Sequence, residues 1–277
     1  MSDYAVCPVC PHHCNLQEGS IGRCRARVNR GGKVVSSNYG KLTSIALDPI
    51  EKKPLACFHP GSKVLSIGSY GCNMACPFCQ NYDIAYAGEN HFTELRTYTP
   101  ERLTEIALDT VSEGNIGIAY TYNEALVGYE FVRDTAKLIS EVGLLNVLVT
   151  NGNACIDILD EILPYIDAMN IDLKCFTEAG YKSLGGNFET VKAFIEEAHT
   201  DSHIEITSLI VPGLNDSHDE MEEEAKWIAS IDPDIPLHIT RYFPRFKYRE
   251  APTDIGLMNE LKEIAEKHLS RVLLGNV

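Results

Sequence analysis

Three cysteines at C-x3-C-x2-C spacing are the residues of this chain most able to do chemistry. Cys72, Cys76 and Cys79 lie within residues 71–81, directly after the apolar run 63–68. Three thiolates this close together on a short loop favour a soft metal or an iron–sulfur cluster over hard cations. A 4Fe-4S cluster normally takes four cysteines, so three local ligands would leave one iron open to bind another molecule.

Two other interpretations of these three cysteines remain open. They could form a structural zinc loop whose fourth ligand is distant in the sequence, or they could be reduced cysteines buried as small hydrophobic residues. The spacing C-x3-C-x2-C is not among the usual zinc spacings, which favours the iron–sulfur interpretation.

A second group of cysteines lies near the start of the chain. Cys7, Cys10, Cys14 and Cys24 occur in an irregular segment with glycine, proline and little apolar periodicity. A segment this short and polar has no core of its own, so a bound metal would supply the free energy that folds it. Four cysteines are enough for a tetrahedral zinc site, and a second iron–sulfur cluster is the rival interpretation.

Composition and charge restrict the class of protein. The 277-residue chain is 44% hydrophobic and 23% charged, which is typical of a globular protein with one large domain or two ordinary ones. Its net charge of −15 disfavours nucleic acid or a membrane surface as a partner, since both need a concentrated basic face. Without a long apolar run or a signal sequence, we expect a cytoplasmic protein whose ten cysteines stay reduced.

Alternating strands and helices must position the cluster cysteines. Six apolar segments are predicted strands, at residues 63–68, 117–122, 146–150, 168–173, 204–211 and 237–242. Helices are predicted at residues 99–114, 126–143, 156–166, 189–199, 217–231 and 254–269. Six such units imply an α/β fold with a parallel sheet and right-handed crossovers. The pattern fits both a doubly wound sheet and a barrel.

Polar side chains lie on or directly after most of these strands. Because the carboxyl ends of parallel strands carry the chemistry in α/β folds, these side chains are candidates for binding a cofactor. Each also has an ordinary alternative as a turn former, helix cap or solvated residue, but their repetition favours a site. The candidates are Asn123, Glu124, Thr150, Asn151, Asp172, Lys174 and His238, with Glu205, Thr207 and Ser208 on the fifth strand.

The cysteine spacing, with Phe78 directly before the third cysteine, resembles the cluster motif of the radical S-adenosylmethionine (radical SAM) superfamily. The resemblance implies a 4Fe-4S cluster on Cys72, Cys76 and Cys79, whose open iron binds the amino and carboxylate groups of SAM. It further implies that the reduced cluster cleaves SAM to methionine and a deoxyadenosyl radical, which abstracts hydrogen from a substrate. The protein's share of such chemistry is positioning, electronics and exclusion of side reactions.

The same resemblance decides between the two topologies. It implies a partial (β/α)6 barrel over residues 61–277, opened on one side to admit a substrate. Residues 1–60 are then a short cysteine-rich extension with a structural metal site. The resemblance also implies an external reductant of the flavodoxin or ferredoxin type, and the substrate is expected to be a protein.

Motifs at the strand ends resemble those of the glycyl-radical-enzyme activases, a branch of this superfamily. Asn123 and Glu124 match the motif that holds the SAM amino group, and residues 172–174 match the D-x-K motif of the fourth strand. Val149 replaces a carboxylate that helps this branch to hold a monovalent cation, so no such cation is implied. The expected cofactor-binding residues are Phe78, Asn123, Glu124, Thr150, Asn151, Asp172, Lys174 and His238.

Outer segments narrow the resemblance to the radical SAM member of the AmmeMemoRadiSam system, a family often named by similarity pyruvate formate-lyase activating enzymes. The family usually continues into a tail with another C-x2-C, so the N-terminal metal site here is expected to rely on its own four cysteines. The matching segments are CPVCPHHCNLQEGSIGRC, YGKLTSIALDPIEKKPL, SIGSYGCNMACPFCQN, YTYNEAL, NIDLK and LLGNV.

Three functions follow from these observations. The leading hypothesis is a radical SAM enzyme that acts on a protein substrate. The first alternative is an activase that installs a glycyl radical on a pyruvate formate-lyase-like enzyme. The second is a non-catalytic iron–sulfur electron carrier or metal-binding interaction module.

Overall fold

Small antiparallel strand pairs precede the main sheet in a computed structural model that describes residues 4–277. β1 (Tyr4–Val6) pairs with β2 (Asn15–Gln17), and β3 (Arg27–Arg30) pairs with β4 (Lys33–Ser36). The four N-terminal cysteines lie in the irregular loops that flank these strands, as the sequence predicts.

The main sheet has eight strands in sequence order, with one antiparallel strand at its edge. After β5 (Lys41–Leu42), the chain enters the sheet as β6 (Ser44–Pro49), which runs antiparallel to β7; β5 itself pairs with β8 (Arg96–Thr97). Seven strands are parallel to their neighbours: β7 (Lys63–Gly68), β9 (Asn115–Tyr120), β10 (Leu145–Thr150), β11 (Ala168–Asp172), β12 (His203–Ile210), β13 (Leu237–Arg241) and β14 (Val272–Gly275). Within the described chain β6 and β14 are opposite edges, so the barrel is open.

Eight α-helices connect the strands or cover the sheet. Thr99, Ser217 and Asp254 each cap a helix by accepting a hydrogen bond from the backbone three residues ahead. Within residues 4–277 none of the helices combines the length and apolar character that crossing a bilayer demands. The helices are α1 (Tyr82–Ala85), α2 (Pro100–Asp109), α3 (Tyr129–Glu141), α4 (Ile156–Ile162), α5 (Glu178–Ser183), α6 (Phe188–Ala198), α7 (His218–Ile231) and α8 (Ile255–Ala265).

The partial barrel predicted from the sequence is confirmed. All six predicted parallel strands are present, and the structure adds β14 and the antiparallel β6. Helices α1 and α5 were missed because four and six residues are too short to show a helical period. The boundary between residues 60 and 61 stays a prediction, and β6 already joins the sheet before it.

Successive strand residues contribute to two different apolar clusters. Leu65, Ile118 and Leu148 belong to the cluster that includes the buried residues of the helices. Their neighbours on the other face of the sheet contact Ile50 and Leu55, both of which are fully buried. We name residues 50–62, which connect β6 to β7 in the sequence, the strap. Because strand side chains alternate between the two faces, the strap packs against the inner face of the curved sheet.

A buried ion pair ties the N-terminal extension to the barrel. The Arg27 guanidinium is 2% exposed and donates to both carboxylate oxygens of Glu130 on α3, at 2.6 and 2.8 Å. It also donates to the carbonyl of Val34 at 3.2 Å. Both bonds to Glu130 come from one nitrogen, Nη1, and charge-assisted hydrogen bonds are stronger than neutral ones, so the contact fixes the extension in place.

Replacing Glu130 with alanine is expected to lower the free energy of unfolding by about 3 kcal/mol, because Arg27 would stay buried without a counter-charge. Glu105→Ala is the matched control, since Glu105 pairs with Arg102 on an exposed helix face. Solvent screens that exposed pair, so its loss should change the free energy of unfolding much less. Urea denaturation measures both variants, and equal losses would contradict the role given to the buried pair.

Candidate cluster and cofactor site

The three cysteines share one loop after the first parallel strand. The cluster loop, residues 71–81, leads from the carboxyl end of β7 to the start of α1 and has no regular secondary structure. Cys72, Cys76 and Cys79 are all free thiols and all partly buried. Their position agrees with the rule that parallel barrels place their chemistry at the carboxyl ends of strands.

Distant segments hold the backbone of the cluster loop in place. Because the loop lacks a ladder of its own, its polar groups need partners elsewhere in the chain. Four segments provide them: His12 Nε2 binds Asn73 O (2.8 Å), Leu184 O accepts from Ala75 N (2.7 Å), Tyr86 Oη donates to Cys76 O (3.1 Å) and Lys247 N donates to Pro77 O (2.9 Å).

Gly71 lets the cluster loop approach the N-terminal extension closely. Its φ is +92°, in the left-handed region that favours glycine. A Cβ atom at this position would lie 2.5 Å from the Cys24 carbonyl oxygen and 2.9 Å from the Ala26 Cβ atom. Both the backbone conformation and the available space therefore require glycine.

Asn123 and Glu124 organise the end of the second parallel strand. Asn123 accepts from Ser69 N at 2.9 Å and donates to the carbonyl of Gly71 at 3.0 Å, so it fastens the start of the cluster loop. Glu124 is 3% exposed, and its carboxylate accepts hydrogen bonds at 2.8 to 3.1 Å. The donors to Glu124 are Leu126 N, Thr150 Oγ1 and Asn151 N.

Asn151 connects this strand end to the cluster loop. Its Nδ2 atom donates to the Cys72 sulfur at 3.6 Å and to Asn73 Oδ1 at 3.0 Å. Asn73 in turn donates to the carbonyl of Asn153 at 2.6 Å. The predicted residues Thr150 and Asn151 thus come together with Glu124 and Cys72 in one network.

Lys174 provides a positive charge beside the thiols. Its ammonium donates to Asp172 Oδ2 at 2.7 Å. Burial favours the neutral amine, but the charge of Asp172 and its hydrogen bond favour the ammonium, and the pKa of Lys174 is raised. Lys174 is therefore charged at neutral pH and lowers the energy of negative charge on the neighbouring sulfurs.

The protein alone does not hold the three thiols as thiolates. Burial raises the pKa of Cys76 to about 11, and burial together with the nearby Glu124 raises that of Cys72. A thiolate is the form that binds metal, so a cationic iron centre would have to drive the deprotonation. Thiols without a metal are neutral here.

Phe78 and His238 are placed differently from the other predicted residues. Phe78 is buried and meets the Tyr248 ring edge-on, with centroids 6.2 Å apart. His238 is the second residue of β13, not its carboxyl end, and its Nε2 lies 2.6 Å from Glu205 Oε2. The described hydrogen bonds of His238 do not reach the cluster loop, and its cofactor role stays a prediction.

The carboxylate of Glu205 accepts hydrogen bonds from the strap. The donors are the backbone amides of Ala56 and Cys57, at 3.1 and 2.8 Å. One oxygen of Glu205 also lies 3.1 Å from His203 Nε2. Burial favours the neutral acid, but the hydrogen bonds from His203, His238 and the Cys57 amide outweigh burial and lower the pKa of Glu205 to about 2. The carboxylate anchors the strap inside the sheet.

The four N-terminal cysteines are neighbours, although they do not form a ready-made ion site. Burial raises the pKa of Cys10 to about 12, with smaller contributions from the charges of Cys24, Cys7 and Cys14. No group of three or more His, Cys, Asp or Glu side chains among residues 4–277 is arranged to hold a metal ion. Zinc or a second cluster at these cysteines stays a prediction.

The lack of a group arranged around one metal ion in residues 4–277 does not argue against a 4Fe-4S cluster on the cluster loop. Cysteines that hold such a cluster bind separate irons and need not converge on one atom. The donor set of the loop fits such a cluster. It combines three thiols, two N–H groups directed at the Cys72 sulfur from Met74 and Asn151, and the ammonium of Lys174.

Comparison with known proteins agrees with this geometry. A family model described as the Radical SAM superfamily matches residues 66–228, which is more than half of the chain. The chain belongs to the radical SAM superfamily. It is a radical SAM enzyme, and membership implies a 4Fe-4S cluster and SAM as cofactors.

Individual radical SAM relatives differ in how much of the chain they match. An uncharacterised protein of Methanocaldococcus jannaschii is 37% identical over 98% of this chain and 81% of its own. The pyruvate formate-lyase 1-activating enzyme of Escherichia coli is 28% identical over 54% of this chain and 61% of its own length. A radical SAM methyltransferase from Sphaerobacter thermophilus has a similar fold, with a TM-score of 0.58 at 15% identity, over 78% of this chain and 67% of its own.

Several residues of the site were missed by sequence reasoning. Asn73 lies between the first two cysteines and bridges Asn151, Asn153 and His12, and its amide side chain within the loop was the available signal. Tyr86 contacts Cys76 from a helix too short to predict.

Gly71→Ala is expected to prevent the cluster loop from seating against Cys24 and to abolish most iron and sulfide uptake on anaerobic reconstitution. Gly114→Ala is the matched control. Gly114 has a similar φ of +93°, but a Cβ atom added there would have no other atom of the described chain within 4 Å. The control should lose about 1 kcal/mol of stability and keep its iron. Equal iron contents in the two variants would show that the close approach is unimportant.

Proposed function

We propose that this enzyme cleaves SAM reductively and directs the resulting radical to a protein substrate. The single observation that carries the proposal is the cluster loop, whose three thiols face Lys174 and Asn151 at the carboxyl end of the sheet. The relatives support a protein substrate, because the Escherichia coli enzyme is named for activating another enzyme. Family membership favours this function over an electron carrier without catalytic activity.

A reduced 4Fe-4S cluster with SAM supplies a one-electron cleavage and a deoxyadenosyl radical when both are bound. Cys72, Cys76 and Cys79 would hold the cluster. The N–H groups of Met74 and Asn151 stabilise negative charge on the Cys72 sulfur, and the Lys174 ammonium does so for Cys76. Hydrogen bonds and cations near the sulfurs favour the reduced cluster and raise its potential.

The carboxylate of Glu124 can accept one more hydrogen bond, for example from a cationic group. A carboxylate offers about four lone-pair sites, and three donors use the carboxylate of Glu124 in this structure. The remaining site can accept a hydrogen bond from an ammonium such as the amino group of SAM. Asn123 would act indirectly, because its amide already binds the backbone of the cluster loop.

Cys76→Ala is expected to abolish release of deoxyadenosine after anaerobic reconstitution and addition of dithionite and SAM, because two cysteines cannot hold the cluster. Cys57→Ala is the control, since Cys57 is a partly buried free thiol on the strap. The control should keep wild-type yield. A fully loaded wild-type protein that releases no deoxyadenosine would defeat the proposal.

The activase alternative is favoured by one specific observation, namely the names of two relatives. Besides the Escherichia coli enzyme, a Methanocaldococcus jannaschii protein named as a putative glycyl-radical enzyme activating enzyme is 25% identical over 76% of this chain. If the alternative holds, mixing the reduced enzyme and SAM with a pyruvate formate-lyase-like partner should give a glycyl radical signal in electron paramagnetic resonance. Deoxyadenosine release without that signal would leave only the broader function.

A further inference from the structure

Basic side chains without an ion pair in the described chain lie beside the cluster loop, although the chain as a whole carries a net charge of −15. Residues 241–249, RYFPRFKYR, include four basic residues and no acidic one. We name the exposed or partly exposed cations around the loop the basic collar. Its members are Arg23, Arg25, Arg245, Lys247 and Arg249.

The basic collar is in direct contact with the cluster loop. The Lys247 backbone amide donates to Pro77 O at 2.9 Å, between the second and third cluster cysteines. The Arg23 guanidinium lies so close to Gly185 that a Cβ atom on residue 185 would be 2.5 Å from the Nη2 atom of Arg23. The neighbouring Leu184 binds Ala75 of the loop, so collar residues approach the loop from two sides.

An aromatic stack separates the collar from the cysteines. Phe246 stacks on Tyr82 with ring centroids 4.6 Å apart and lies 5.0 Å from the Tyr86 ring. The Arg25 guanidinium lies 5.1 Å from the Tyr86 ring centroid, and the Lys247 ammonium lies 5.0 Å from that of Phe246. Tyr86 Oη donates to the Cys76 carbonyl, so the Tyr86 ring alone lies between the Arg25 guanidinium and the cluster loop.

The collar cations are not neutralised by the protein. None of the five forms an ion pair with an aspartate or glutamate of the described chain, whereas many other cations do, such as Lys41 with Glu89 and Lys53 with Asp48. Arg25 also lines a cavity of about 600 Å³ together with Arg30 and Glu89. Because Glu89 is paired with Lys41, the two arginines of this recess remain available to an acidic side chain.

We infer that the basic collar is the docking surface for an acidic electron-carrier protein that reduces the cluster, an inference that rests on the proposed function. The opposite side of the loop faces Asn151 and Lys174, where SAM is proposed to bind, so an electron has to arrive from outside. The rate of electron transfer falls steeply with distance. A carrier bound at the collar would be close to the cluster, because the collar contacts the cluster loop. Complementary charge steers such weak, transient encounters.

The step transfers one electron and neither forms nor breaks a bond. The reduced carrier is oxidised by one electron, and the oxidised cluster on Cys72, Cys76 and Cys79 is reduced by one. Subsequent cleavage of SAM consumes this electron.

A pair of charge-reversal variants tests the inference. The collar variant carries Arg245→Glu, Lys247→Glu and Arg249→Glu. The control carries Lys63→Glu, Lys267→Glu and Arg271→Glu, three exposed residues near the amino ends of the strands, and changes the net charge equally. Both variants are first matched to wild type in iron content and circular dichroism.

The main readout is the rate at which photoreduced flavodoxin reduces the reconstituted cluster in anaerobic stopped flow. At low salt the collar variant should be about tenfold slower than wild type or more, and the control within about twofold. Wild-type reduction should slow as salt is added, because salt screens exposed charges. Calorimetry with oxidised flavodoxin should show weaker binding for the collar variant.

Dithionite separates failure of the docking surface from failure of the proposed function. With dithionite and SAM, both variants should release deoxyadenosine like wild type; if none of the three proteins does so, the proposed function fails. If dithionite works but the variants accept electrons from flavodoxin equally fast, the docking inference is overturned. It is also overturned if the collar variant binds flavodoxin more weakly but is reduced as fast as wild type, because the collar would then not direct electron transfer.

Discussion

A loop of eleven residues can hold three thiols in fixed places only if the rest of the chain satisfies its backbone. The cluster loop depends on this condition. The N-terminal extension reaches the cluster loop through His12 and through the close approach at Gly71. Lys247, in the loop between β13 and α8, reaches it through a backbone hydrogen bond to Pro77. The extension is thus a wall of the site as much as an appendage, and the backbone of one of its cysteines, Cys24, lies next to the cluster loop.

Charge is distributed unevenly around this loop. Inside, Lys174 is paired with Asp172 and still acts on the cysteines, while Glu124 is held as an acceptor by three donors. Outside, the basic collar lacks such partners. Five cations without an ion pair in the described chain lie beside one loop, whereas Lys41 and Arg102 are paired with nearby carboxylates, so positive potential is concentrated at the collar.

The strand-helix alternation was enough to predict an α/β fold with a parallel sheet and the position of the cluster loop, because it is a local pattern. The choice of a barrel over a doubly wound sheet came from the resemblance to the radical SAM superfamily. Glu124, Thr150, Asn151 and Lys174 could be predicted because parallel strands end at one edge. Glu205 could not be assigned in this way, since it lies near the amino end of β12 and its partners are the strap, His203 and His238. Contacts such as Tyr86 with Cys76 arise only when segments distant in sequence meet.

The strap makes the two ends of the sheet unequal. Ile50 and Leu55 occupy the interior, and Glu205 binds the strap backbone from within, so that part of the lumen is filled with protein. The strap thus blocks the amino ends of the strands, and the cysteines lie towards the other end. A molecule that reaches the cysteines has to approach from the carboxyl ends of the strands or through the open side between β6 and β14, so the strap decides the direction of entry.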